Sequence, residues 1–260
     1  MSVSKEIEDL IAGSGNTFHA VVARWFIENG WHVVVSPYYL DQSQGKAREI
    51  DLIAEKLWRT TDSFGRPKDY VAVRLFVECK FIATDAVFWF ADKNREAAQA
   101  LVCATHPFRP NNSYTSEHHY LAHSTRVAKL FATAGSKTSE NEPFYKALNQ
   151  SLNALVSMRG RPLNIKDQKK REVTPVTVLE CPVVVCSSFE RLYCVDFLRD
   201  SSPVPIANNF QLEVQYAYVD AGSRPRDDYF LLDFVERSRL EEFCKAVDAS
   251  ANAAAQLASD

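Results

Sequence analysis

Asp51, Glu78 and Lys80 are the side chains whose types and spacing could do chemistry. Residues 71–82 read Val-Ala-Val-Arg-Leu-Phe-Val-Glu-Cys-Lys-Phe-Ile. This apolar strand pattern places Glu78 and Lys80 two positions apart, so both leave the same face. Ending a hydrophobic run on a carboxylate and an ammonium is costly for packing alone, because desolvated charge needs compensation. Asp51 ends a similar run, Arg48-Glu49-Ile50-Asp51-Leu52-Ile53-Ala54. Two carboxylates and a lysine in this pattern could hold a hard cation and a phosphate.

The elements that must position them are legible nearby. Residues 16–29 carry apolar positions at helical spacing, with Gly30 as the stop. Residues 31–35 form a β-branched run closed by Ser36-Pro37, and 48–58 and 70–82 read as two further strands. The connection Thr60-Thr61-Asp62-Ser63-Phe64-Gly65-Arg66-Pro67 is turn chemistry. Antiparallel pairing about a turn centred between Phe64 and Gly65 sets Asp51 directly across from Glu78, with Cβ atoms about 4.5–5.5 Å apart. Like charges so placed repel unless a cation lies between them.

Beyond the hairpin, the patterns predict helices over 92–104, 125–134, 144–158 and 240–247, and strands over 117–124, 176–186, 192–197, 211–219 and 228–235. Residues 135–143 are polar and predicted to be exposed. The alanine-rich tail from Ser250 has no visible anchor and is expected to fray.

The order helix, strand, strand carrying Asp51, strand carrying Glu78-Cys79-Lys80, helix resembles the PD-(D/E)XK nuclease superfamily. It is most similar to Mrr-like restriction endonucleases and archaeal Holliday-junction resolvases. The resemblance rests on Arg48-Glu49-Ile50-Asp51-Leu52-Ile53-Ala54 and Phe76-Val77-Glu78-Cys79-Lys80 and covers roughly residues 13–134. It implies an α/β restriction-endonuclease-like fold, with a mixed four-stranded sheet flanked by helices. A nuclease-like core over 1–158 would carry a strand-rich C-terminal extension over 159–260 packed on it. The implied activity is hydrolysis of DNA phosphodiester bonds with Mg2+ or Mn2+, in a prokaryotic restriction or anti-phage defence setting. Asp51, Glu78 and the main-chain carbonyl of Cys79 would hold the metal. Lys80 would orient water or stabilise growing negative charge. The acid often found in the first helix of these nucleases falls at His19, a departure from the pattern. Glu49 shares a strand face with Asp51. Gln99 and Gln150 are candidates for the helical glutamine that several such nucleases place near the metal.

The same residues allow other readings. The hairpin could simply carry a cross-strand salt bridge. The fold could act on RNA or structured junctions, or serve as a non-catalytic subunit beside a separate NTPase. No Gly-x-x-x-x-Gly-Lys-Ser/Thr stretch is present, so a nucleotide-driven step would need another chain. A second acid-x-Lys triplet, Asp167-Gln168-Lys169, lies in a turn-rich loop. That loop holds the main positive concentration, Arg159, Arg161, Lys166, Lys169, Lys170 and Arg171, and could meet a phosphate backbone or remain solvated. Phe88-Trp89-Phe90 could stack on bases or anchor a helix to the sheet. His118, His119 and His123 lack the order of a zinc motif and read as surface or substrate-side groups.

Composition bounds the function. A net charge of −3 argues against a general polyanion-binding surface, leaving local patches for any nucleic-acid contact. Hydrophobic residues at 46% and charged residues at 24% are those of a globular chain, and no long uncharged apolar run suggests a membrane span. The start lacks a signal-peptide pattern, and the six cysteines form no Cys-x-x-Cys pair, so the expectation is a cytoplasmic protein with reduced thiols. Symmetry makes a homodimer or higher oligomer reasonable for cutting both strands.

Overall fold

The computed structural model describes residues 4–13, 15–61, 64–105, 107–110, 112–135, 142–166, 172–220 and 222–258. Its elements run α1 (Lys5–Gly13), α2 (Asn16–Glu28), β1 (His32–Val35), β2 (Tyr38–Asp41), β3 (Lys46–Glu49), β4 (Leu52–Thr61), β5 (Pro67–Lys80), β6 (Ala86–Asp92) and α3 (Arg95–Thr105). A 3-10 turn over Ser113–Glu117 leads to α4 (His119–Ala122), β7 (Arg126–Thr133) and α5 (Pro143–Met158). The chain ends with β8 (Thr177–Cys186), β9 (Leu192–Asp196), β10 (Val204–Pro205), β11 (Phe210–Val219), β12 (Pro225–Glu236) and α6 (Leu240–Leu257). The fold is mixed α/β.

The expected four-stranded sheet is instead ten-stranded, ordered β1-β4-β5-β8-β12-β11-β7-β6-β9-β10, with β2 and β3 forming a separate hairpin. Residues 159–260 do not form a layer of their own. They place β8, β12 and β11 in the middle of the sheet, between β5 and β7. Strands β5, β8 and β12 run parallel, which explains why β5 and β8 read as near-continuous apolar runs rather than alternating ones. Odd positions of β5 from Val71 to Cys79 pack under α2, α3 and α6, and Phe76 packs on the opposite face with α5 and Tyr39.

The β4–β5 register is the one the turn chemistry predicts. Leu52 pairs with Val77, Ile53 with Phe76 and Arg59 with Tyr70, and the ladder slips only beyond Arg59, at Thr61. On the other flank, β8 pairs with β12 from Val183 onward. Ser187 donates its amide to the Lys80 carbonyl, so alternate residues, Pro182 among them, turn toward β12. Pro182 has no N–H to give, and below it the two strands part. A cavity of about 660 Å³ lies there, lined by Val178, Glu180, Pro182, Phe230 and Leu231.

Three expected elements differ. Residues 126–133 are a strand, not a helix, because pairing with β6 and β11 outweighs the helix propensity of Ala, Lys and Leu. Residues 117–124 are a 3-10 turn and short helix, with the His118 side chain accepting from the Tyr120 amide. Helix α6 continues to Leu257 instead of fraying. Ser250, Ala251 and Ala253–Ala255 are buried, and small side chains let that helix lie close to the sheet. Phe88 lies inside β6 and packs on Phe144, Phe210 and Phe234, so its ring belongs to the core.

The central strand also buries Arg74. Its Nε donates to Glu55 Oε1 at 2.8 Å, and Nη1 reaches Glu180 Oε1 at 3.3 Å. Nη2 donates to the carbonyls of Pro162 and Arg161. Glu55 Oε2 in turn accepts the amides of Asn164 and Ile165. This network ties the chain after α5 to the middle of the sheet. Removing one partner of a buried pair strands the other charge, so Arg74→Met should destabilise the fold by about 3–5 kcal/mol in urea unfolding. A loss below about 1 kcal/mol would mean that the Asn164 and Ile165 amides on Glu55, not Arg74, hold the segment.

Candidate active site

Four elements converge on one end of β5. Strand β5 delivers Glu78, Cys79 and Lys80; the bend before β4 delivers Asp51; α2 delivers His19; and the β2–β3 hairpin delivers Tyr39 beneath Glu78. Asp51 precedes β4 by one residue, and the ladder carried one step past Leu52–Val77 brings it level with Glu78. Its main chain is fixed by Ser36, whose amide donates to the Asp51 carbonyl at 2.9 Å. Ser36 adopts φ of 52°, a left-handed turn between β1 and β2 that is costly for a non-glycine residue.

The Asp51 carboxylate is not turned face to face with Glu78. Its Oδ2 accepts the Cys79 amide at 2.7 Å and lies 3.1 Å from His19 Nε2. That ion pair raises the His19 pKa, with burial opposing it. Glu78 is fully buried, and its Oε2 accepts from Lys80 Nζ at 3.2 Å. Burial pushes the Glu78 pKa up to about 8, against the pull of Lys80 and with the added repulsion of Asp51. Burial also raises the Cys79 thiol well above its ordinary value.

Two features fit a hard cation at this position. Among the described residues, Glu78 Oε1 is buried and makes no hydrogen bond, an acceptor left over where such groups are almost always satisfied. Within a strand the amide and carbonyl of one residue point to the same edge. The Cys79 amide reaches Asp51, so its carbonyl leaves on that edge too, beyond the end of the β4 ladder. Asp51, Glu78 Oε1 and this carbonyl are each oxygen donors of the kind magnesium prefers.

No family model, curated protein or solved structure matches this chain.

Of the other residues singled out from the sequence, Gln150 lies next to the cluster, its Nε2 donating to the Glu49 carbonyl at 3.3 Å. Glu49 itself is engaged by the Tyr38 hydroxyl, which raises the tyrosine's pKa. Gln99 is not brought here; it sits on α3 and donates to the Pro110 carbonyl. Arg159, Arg161 and Lys166 belong to the segment held by Arg74, four residues back along β5 and so about 13 Å from Glu78. Arg159 is also drawn to Glu180 at 3.8 Å. Lys169, Lys170 and Arg171, and the triplet Asp167-Gln168-Lys169, lie outside the described residues. His118 and His119 are buried rather than at the surface, and His119 bridges Ser250 and Asp233.

Tyr39 is the neighbour that the sequence did not flag. It is buried, donates to the Gln150 carbonyl at 3.3 Å, and has its pKa raised by burial and then by Glu78. The Tyr38-Tyr39 pair after Ser36-Pro37 was the available signal. A groove of about 960 Å³ opens beside it, lined by Tyr39, Arg48, Gln150, Asn153 and Tyr216.

Glu78 makes stability depend on pH in a definite direction. Its folded pKa of about 8 lies above the ordinary 4.5. Its contribution is therefore full below the lower value and is lost as pH rises through the upper one. In metal-free protein, the Tm should fall between about pH 5 and about pH 9, and Glu78→Gln should flatten that fall. Parallel Tm profiles for the two proteins would show that Glu78 ionises without cost.

Proposed function

We propose that this chain is a divalent-metal-dependent nuclease of the PD-(D/E)XK type, hydrolysing DNA phosphodiester bonds with Asp51, Glu78 and Lys80. The observation that carries the reading is the unpartnered buried oxygen of Glu78, on a carboxylate whose other oxygen accepts from Lys80 and whose next residue, Cys79, holds Asp51 by its amide. Mg2+ or Mn2+, held by Asp51, Glu78 and the Cys79 carbonyl, would supply Lewis acidity toward the phosphate and acidify water.

The chain's own groups divide the rest of the work. Lys80 is fixed by Glu78 and its side chain stays partly exposed, so that its ammonium can orient a water or meet a non-bridging phosphate oxygen. His19 donates to Asp51 and holds that carboxylate in place; in its protonated form it also adds positive charge for an anionic substrate. Gln150 braces the main chain of Glu49, two residues before Asp51. The groove lined by Tyr39, Arg48 and Tyr216 offers amides, hydroxyls and one guanidinium to a strand leaving the site. No described helix is long and apolar enough to cross a membrane, in keeping with a protein that meets DNA in solution. A restriction or anti-phage role, with a homodimer or a separate NTPase subunit as partner, is the setting this reading favours.

Nicking of supercoiled plasmid tests it. Wild-type protein with Mg2+ or Mn2+ should cut, and EDTA should abolish cutting. Lys80→Ala, Asp51→Asn and Glu78→Gln should each lower the rate by about a hundredfold or more while remaining folded. Equal cleavage by wild type and Lys80→Ala would sink the assignment. Faster cleavage of RNA or of branched junctions would move the substrate class. A folded protein that cuts no nucleic acid yet captures an NTPase would point to an assembly subunit.

A further inference from the structure

We infer that the α2 side of this site takes a thiophilic divalent cation, Zn2+ above all, through His19, Asp51 and the thiolate of Cys79, whose proton leaves to solvent as the metal–sulfur bond forms, and that this cation competes with Mg2+ for Asp51. One ligand atom from each of the three residues lies within 4.8 Å of the other two. In tetrahedral zinc coordination, bonds of about 2.0–2.3 Å put neighbouring ligand atoms roughly 3.3–3.8 Å apart. His19 Nε2 and Asp51 Oδ2, now 3.1 Å apart, need only open slightly, and the sulfur needs to close by about an ångström or less.

The pleat of β5 separates this donor set from the magnesium position. Cys79 packs on the face shared with α2, whereas Glu78 and Lys80, one residue to either side, leave the other face. Asp51 stands at the edge between them and belongs to both sets. The first set combines nitrogen, sulfur and one oxygen; the second is all oxygen. Zinc favours the first and magnesium the second. At comparable access, the softer and later metal binds a mixed nitrogen–sulfur site far more tightly than magnesium does. His19 and Asp51 are both partly exposed, which leaves an approach for the cation and room for a water as fourth ligand. Micromolar zinc would therefore lock Asp51 on the α2 side, where it already stands, and withhold it from the phosphate-side metal.

Cobalt is the probe, because a thiolate ligand gives Co2+ a sulfur-to-metal charge-transfer band in the near ultraviolet. Titrating the whole, metal-free chain with Co2+ should produce that band, and one equivalent of Zn2+ should bleach it. The band should vanish in Cys79→Ser and Cys79→Ala, each checked for folding by circular dichroism. His19→Ala should weaken cobalt binding by more than about tenfold. Glu78→Gln should keep the band, since that carboxylate lies on the other face. Absence of the band in the wild type, its survival in Cys79→Ala, or its loss in Glu78→Gln would each overturn the inference. The readout is independent of cleavage. Plasmid nicking without a cobalt–thiolate band removes this cation site and spares the nuclease reading, and a band without nicking does the reverse.

Discussion

Strand β5 is buried from Val71 to Cys79, and the cost of holding charge there shapes the molecule around it. It carries two charged side chains inside that span, Arg74 and Glu78, on the same face and four residues apart. Arg74 is answered in full: a carboxylate from the neighbouring strand, a second from β8, and carbonyls from the chain after α5 surround its guanidinium. Glu78 is answered by half, with Lys80 on one oxygen and nothing on the other. The same strand thus displays how this fold satisfies a charge it needs for structure, and how it leaves one incomplete. Incompleteness at one oxygen, with burial holding the group near neutrality in the metal-free state, is what binding energy from a cation can repair.

The topology makes that position possible. Because β8 and β12 run parallel to β5, the three strands end together, and loops leave the sheet on the same side at Lys80, Cys186 and Glu236. Side chains brace these ends. Ser187 Oγ accepts the Ile82 amide, and Glu236 Oε1 accepts the Phe189 amide. The C-terminal half of the chain therefore forms the wall against which the Glu78–Lys80 end of β5 is held. A sheet cut at residue 158 would expose the β5 edge.

How much of this was legible follows from what is local. The turn at Phe64-Gly65 fixed the β4–β5 register, and with it the level of Asp51 against Glu78, because hairpin pairing depends on a few adjacent residues. The same register holds Glu55 opposite Arg74, so the buried pair was present in the pattern and passed over among ordinary charges. The insertion of β8, β12 and β11 beside β5 had no local sign, since parallel neighbours meet through long connections. Residues 126–133 and the Ala-rich tail depart from their local patterns for a related reason. Short apolar runs of Ala, Leu and Val suit either a helix or a strand, and the partner strand or sheet face decides. His118 and His119 became core groups once α6 supplied Ser250 and β12 supplied Asp233, neither of which is near them in sequence.

The residue between Glu78 and Lys80 has a more particular role than spacing the motif. A strand residue presents three things in three directions: its amide and carbonyl along the sheet, and its side chain across it. At position 79 the amide holds Asp51, the carbonyl leaves on the same edge, and the thiol points toward α2 and His19. Any residue but proline would keep the first two, because they are main chain. The thiol, close to a histidine on α2, gives that side of the strand nitrogen and sulfur groups, whereas Glu78 on the other side offers oxygen alone. Asp51 is the shared element, and its two hydrogen-bonded neighbours, the Cys79 amide and His19, hold it on the thiol side in the metal-free state. The helix and the strand thus meet at one carboxylate oxygen, Asp51 Oδ2, and the His19 side chain and the Cys79 amide fix it from two directions.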